Sequence, residues 1–153
     1  MKRMHIHISV DDLEKNIGFY SSLFGEKPTI EHNDYAKWRL NDPLVNFAIS
    51  DRGGDNGVNH LGLEVESDTE LEEISARLNQ CNIENIAEKG ANCCYAESDK
   101  YWTLDPQGIP WENFHTLSDI PVYGVDDQEE KNDNSGCCVG GAKSILITKQ
   151  SCC

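Results

Sequence analysis

Two stretches of this chain share one alternation of apolar and other residues. His5-Ile6-His7-Ile8-Ser9-Val10 and His60-Leu61-Gly62-Leu63-Glu64-Val65 repeat histidine, aliphatic, aliphatic and valine at one fixed offset. The period of two predicts a β-strand in each, with the histidines on the face opposite the aliphatics. An echo at fixed spacing reads as an internal repeat, so two related strands present equivalent imidazoles.

The elements that follow each strand also correspond. Asp11 or Asp12 can cap a helix whose Leu13, Ile17, Tyr20 and Phe24 follow helical spacing, with Gly25 closing it. Strand-like runs at about 27–32, 35–40 and 44–49 come next, then a flexible connector, Arg52-Gly53-Gly54-Asp55-Asn56-Gly57. The second module starts with a strand at 58–65. Ser67 and Glu70 then have capping-box spacing, before a helix with Leu71, Ile74, Leu78 and Cys81 on one face. Strands at about 83–88, 96–104 and 109–115 complete it, the last two joined by the Asp105-Pro106-Gln107-Gly108 turn. Leu13 and Leu71 lie three residues further apart than the two histidines, which small insertions at strand ends explain.

The pattern therefore predicts an α+β fold of two paired βαβββ modules, about 1–52 and 57–116, in a domain spanning 1–118. Residues 119–153 form an appendage. Asp126-Asp127-Gln128-Glu129-Glu130-Lys131-Asn132-Asp133-Asn134 is acidic and polar with nothing to bury, so the tail is expected to be flexible.

Charge and composition narrow the partners. Among 153 residues, 27 acidic against 13 basic give a net charge of −14, which repels phosphate backbones and makes nucleic acid an unsuitable partner. No stretch is apolar enough to span a bilayer, and Met1-Lys2-Arg3 runs straight into a strand, so a cytoplasmic protein is expected. Six of the seven cysteines form adjacent pairs, Cys93-Cys94, Cys137-Cys138 and Cys152-Cys153. Neighbouring residues rarely close on each other without strain, and a reducing compartment keeps thiols reduced, so dithiols for a soft, thiophilic centre are the better reading.

Glu112 of Trp111-Glu112-Asn113-Phe114 lies on a third strand. If the modules pair their sheets around one cleft, His5, His60 and Glu112 can converge on a divalent metal with positions left open, the facial set suited to Fe(II). A lone strand histidine is more often a satisfied core or surface group, and the match between His5 and His60 is what favours the metal. His7 shares a face with His5 and is either a competing first ligand or an outer donor. His32 and His115 lack comparable support.

These residues resemble the vicinal oxygen chelate superfamily, which includes glyoxalase I, extradiol dioxygenases and bleomycin or fosfomycin resistance proteins. The likeness covers about residues 1–116 through His5-x4-Val10-x-Asp12-Leu13 with Phe19-Tyr20, His60 opening the second module, and Asp105-Pro106-x-Gly108-x2-Trp111-Glu112. Within it, Asn92-Cys93-Cys94-Tyr95-Ala96 with Asp99-Lys100 and Trp102 is similar to the organoarsenical carbon-arsenic lyases and the related cadmium-induced proteins. The resemblance implies Fe(II) on His5, His60 and Glu112, a trivalent organoarsenical captured by Cys93 and Cys94, and dioxygen as co-substrate, giving arsenite. It departs at one place: some lyases carry Gln where this chain has His5.

Two other readings share these features. One is a thiol protein that sequesters cadmium or arsenite without turnover; the other is a glyoxalase or antibiotic-resistance activity on the same fold. The tail pairs Cys137, Cys138, Cys152 and Cys153 fit either an accessory thiol reservoir or a variable terminus. The cleft can form within one chain or across a homodimer.

Overall fold

The computed structural model describes residues 1–52, 55–121 and 123–124. Their elements run β1 (Arg3–Ser9), α1 (Leu13–Phe24), β2 (Ile30–His32), β3 (Tyr35–Asn41), β4 (Leu44–Ser50), β5 (Gly57–Val65), α2 (Asp68–Gln80), β6 (Ile86–Cys93), β7 (Ala96–Leu104) and β8 (Pro110–Asp119). Each module is βαβββ, as the alternation predicts. The strands form one mixed sheet in the order β2-β3-β4-β1-β5-β8-β7-β6. Within each module the first strand pairs parallel with the last, and the modules join where β1 and β5 run antiparallel.

Both helices have the caps that the sequence suggests. Asp12 Oδ1 accepts from the Lys15 N–H at 2.9 Å, satisfying one of the unpaired donors of the first turn of α1. Gly25, at φ 70°, closes that helix in the left-handed region. Ser67 Oγ accepts from the Glu70 N–H, but the Glu70 carboxylate takes its return bond from Glu66, one residue before the cap. Tyr20 and Phe24 of α1 pack on Trp38 and Phe47, while Leu71 and Ile74 of α2 pack against Leu63, Val65 and Tyr101.

With the helices on the outer face, the sheet curls so that its two edges meet. The Tyr95 ring, at the β6–β7 turn, stacks on His32 of β2 with centroids 3.5 Å apart. The enclosed face is polar. On β1 the buried positions are Arg3, His5, His7 and Ser9, whereas Met4, Ile6 and Ile8 between them are only partly buried.

Three strand boundaries differ from the expected ones. β2 is shorter, since Pro28 has no N–H for the ladder. β6 begins later and runs to Cys93, because a register slip between Glu88 and Ala91, around Gly90 at φ 61°, interrupts the alternation. β8 continues to Asp119, and Tyr123 beyond it is buried against Tyr35 and Ala48. The acidic run from Asp126 and the pairs Cys137-Cys138 and Cys152-Cys153 lie outside the described residues. Among those described, no helix is long and apolar enough to cross a membrane.

Candidate functional site

The join between the modules sets the geometry of the cleft. In the β1–β5 ladder His5 stands opposite Gly62 and His7 opposite His60, so His5 and His60 lie diagonally across the seam. In the β5–β8 ladder Gly62 pairs with Glu112. The absence of a side chain at Gly62 allows a close approach: a Cβ there would overlap the Glu112 carbonyl oxygen.

The result is a tight cluster of three buried donors. His5 Nε2 and His60 Nε2 are 3.1 Å apart, and Glu112 Oε2 lies 3.5 Å from the first and 3.2 Å from the second. Their second atoms are tied down. His5 Nδ1 faces the Asn46 carbonyl oxygen at 3.1 Å and must donate to it; His60 Nδ1 likewise donates to Asn59 Oδ1 at 2.8 Å. In its neutral form each ring, donating from Nδ1, points an Nε2 lone pair into the cluster. Burial, only partly offset by Glu112, pushes the His5 pKa down to about 3, so this ring stays neutral at physiological pH.

Three acceptors converging without a proton to share is unfavourable in isolation and suits a cation. A divalent ion accepts all three electron pairs, and the outer bonds to Asn46 and Asn59 fix the tautomer that it needs. Asn46 Oδ1, on the same cleft wall, is also buried without a hydrogen-bond partner among the described residues. The site fits a metal by the chemistry of its donors.

Glu112 is held as a carboxylate. Burial alone would raise its pKa, but Lys100, whose Nζ donates to Oε1 at 2.6 Å, outweighs burial and keeps it well below the usual range. Burial also opposes the Lys100 ammonium, and Glu112 with the nearby thiols reverses that, raising its pKa. Because the depressed Glu112 titrates below the ordinary 4.5, its contribution to stability is present above that pH and is lost progressively below it, as pH falls toward the lowered folded value. Lys100→Met leaves a buried carboxylate without its partner, with an expected cost of about 3–5 kcal/mol. Thermal unfolding at neutral pH measures it, and adding Glu112→Gln should recover part of the loss.

Cys93 and Cys94 line the same cleft as His5, Glu112 and Lys100. They sit at the tip of the β6–β7 hairpin, where Cys93 pairs with Ala96 and only Cys94 and Tyr95 make the turn. Both turn residues have positive φ, 58° and 63°, the arrangement of a type I′ turn, which glycine and asparagine normally occupy. Left-handed backbone at such residues costs about 1–3 kcal/mol each and persists only where surroundings impose it. Here Tyr95 donates from its hydroxyl to Asp34 at 2.7 Å and stacks on His32, and its backbone bonds Tyr123 and Ile120. The two Sγ atoms are 3.0 Å apart, well beyond an S–S bond of about 2.05 Å.

His7 lies behind the cluster. Its Nε2 bonds Ser50 Oγ at 2.9 Å and its ring meets that of His60 edge-on at 4.7 Å, so it braces His60 and is absent from the converging set. His115 bonds Asp68 at the surface and His32 stacks on Tyr95. Sequence patterns miss Asn46, Asn59 and Lys37, and reach Lys100 only as part of a longer motif. Asn59 occupies an irregularity in the β1–β5 register, which no local pattern announces. A lysine in phase with Ala96 and Ser98 on an inward strand face was the one available signal.

Comparison with known proteins agrees with this fold. Residues 2–113 match the Glyoxalase/Bleomycin resistance protein/Dioxygenase superfamily. The chain is 39% identical to a probable trivalent organoarsenical cleaving enzyme of Bacillus subtilis (strain 168), with all of both chains covered. It is 37% identical to a trivalent organoarsenical cleaving enzyme of Bacillus sp. (strain MD1), covering 100% of this chain and 91% of that one. Among solved structures, homoprotocatechuate 2,3-dioxygenase from Arthrobacter globiformis superposes with a TM-score of 0.57 at 22% identity, over 76% of this chain and 36% of that one. Repeat, topology and sequence match agree: the chain belongs to the glyoxalase/bleomycin resistance protein/dioxygenase superfamily.

Proposed function

We propose that this protein is an Fe(II)- and dioxygen-dependent lyase that cleaves the carbon–arsenic bond of trivalent organoarsenicals, methylarsenite and aromatic arsenicals among them, and releases arsenite. The observation that carries this reading is that a vicinal thiol pair lines the same cleft as His5 and Glu112 of the His-His-Glu cluster. The names of the two Bacillus relatives, each at more than a third identity, support it.

The roles follow from the chemistry. Trivalent arsenic is a soft centre that exchanges oxygen ligands for sulfur. Cys93 and Cys94 each replace one arsenic hydroxyl, which departs as water with a thiol proton, and the oxidation state of arsenic does not change. Binding by both sulfurs leaves the organic substituent as the one group free to lie toward the metal, so capture doubles as positioning. His5, His60 and Glu112 hold Fe(II), which supplies activation of dioxygen when bound. Asn46 and Asn59 keep the two imidazoles in the ligating tautomer, Lys100 keeps Glu112 ionised, and His7, tied to Ser50, braces His60. For the methyl substrate, methylarsenite plus dioxygen balances against arsenite plus formaldehyde. Reduced thiols suit the cytoplasm.

The test is purified protein with Fe(II), a reductant, oxygen and methylarsenite, with arsenic species separated and counted. Oxygen-dependent arsenite release is expected. Bound iron with stoichiometric arsenical uptake and no arsenite would refute cleavage in favour of sequestration.

A further inference from the structure

We propose that Lys37 is the counter-charge of the Cys93–Cys94 pair, holding it as a thiol–thiolate couple at neutral pH. Lys37 stands on β3 of the first module and lines the cleft that Lys100 lines from β7 of the second. Its ammonium makes no hydrogen bond or salt bridge among the described residues. Lys100 also faces the two thiols, but its ammonium is bonded to Glu112 at 2.6 Å and shares its charge with that carboxylate.

Fully charged groups on the cleft wall are Lys37, Lys100 and Glu112, so two positive charges face one negative. The interior is locally cationic although the whole chain carries −14. A half-buried ammonium lacking a direct partner favours a new anion beside it, and low local dielectric strengthens that attraction. Burial accordingly depresses the Lys37 pKa, while Glu64, Asp119 and Cys94 act to raise it. Glu64 already faces Arg39 and Arg3, and Asp119 is exposed at the end of β8 and does not line the cleft. Among the groups acting on Lys37, the Cys94 sulfur is therefore the one on the cleft wall.

The sulfurs suit a shared proton. At 3.0 Å, one can donate its S–H to the other as thiolate. Cys94 Sγ also lies 3.5 Å from the Tyr123 hydroxyl, which can donate once Cys94 is ionised. The other titratable groups facing the pair act weakly or oppose it. Tyr35 and the buried His5 and His7 add no formal charge when neutral, Glu112 is neutralised by Lys100, and Asp119 at the end of β8 favours the protonated thiol. Thiolate is the nucleophilic form, so the couple opens arsenic exchange. The thiolate displaces the first hydroxide, which takes the neighbour's proton and leaves as water. The second sulfur displaces the second hydroxide, which regains from solvent the proton lost when the thiolate formed.

This deepens the lyase reading and rests on it for its purpose, but its test uses neither arsenical nor metal. The full-length protein is alkylated with iodoacetamide from pH 5.5 to 9, and mass spectrometry follows the peptide that carries Cys93 and Cys94. Wild type is expected to show a midpoint below the ordinary thiol value of about 8.5. Lys37→Met and Lys37→Gln should raise that midpoint by about one unit, slowing alkylation about tenfold at pH 6.5, and Lys37→Arg should restore the wild-type profile. Two neutral variants guard against one failing to fold. Superimposable profiles for wild type and a folded neutral variant would overturn the assignment, as would an arginine variant no better than methionine. Absence of arsenite release beside a lowered midpoint would remove the lyase reading and leave the thiolate standing.

Discussion

Replacing Cys93 and Cys94 together by serine is expected to reduce oxygen-dependent arsenite release by about three orders of magnitude or more, the scale on which lost proximity acts. Serine keeps the volume and the hydrogen-bonding capacity of each position but offers arsenic a hard oxygen in place of a soft sulfur. Far-UV circular dichroism and Fe(II) affinity should stay unchanged, because neither residue belongs to the His5-His60-Glu112 cluster. That combination separates substrate capture from metal chemistry. Turnover by the serine variant near the wild-type rate would mean that the thiols are bystanders and that another activity occupies the cleft.

Gly62→Ala should damage the protein from the other side. The added methyl group would collide with the Glu112 backbone, and neither that carbonyl nor its Cα can swing aside as the end of a flexible chain would. β5 and β8 must separate at the position where Glu112 faces His60. Overpacking of this kind costs typically about 1–3 kcal/mol, and rigid backbone on both sides puts this case at the upper end, on the order of 10 °C in Tm. Fe(II) affinity should fall at least about tenfold, since misplaced supports cost about 10–100-fold at metal sites. Thermal melting and anaerobic titration measure the two effects. Gly18→Ala, in α1 with open space around its Cα, is the matched control and should leave both intact. A fully stable, metal-replete Gly62→Ala protein would show that the strands do not need this contact.

Much of the fold is legible in the sequence because it is repeated. Period-two runs give both leading strands, helical spacing with Asp12, Gly25 and Ser67 gives both helices, and the matched offset of His5 and His60 singles them out from five histidines. What stays hidden is set by pairing between distant segments. Gly90 breaks the pattern of β6, so the strand that delivers the thiols looks shorter than it is. Lys37 carries no pattern of its own and Lys100 appears only within a longer motif, because what brings them together is the curling that turns their face inward. The same curling makes the polar side of β1 the more buried one, contrary to what a single flat sheet would lead one to expect.

The two-residue turn at Cys94 and Tyr95 has a consequence for how such proteins can diverge. Its sulfurs are aimed by main-chain torsions that a longer connection would relax. Wall side chains without a charge or a bond to the cluster, such as Ala96 and Thr116, can be exchanged more readily. The spacing between the bite and the strand that follows it cannot, so loop length is the character that kinship should preserve most strictly.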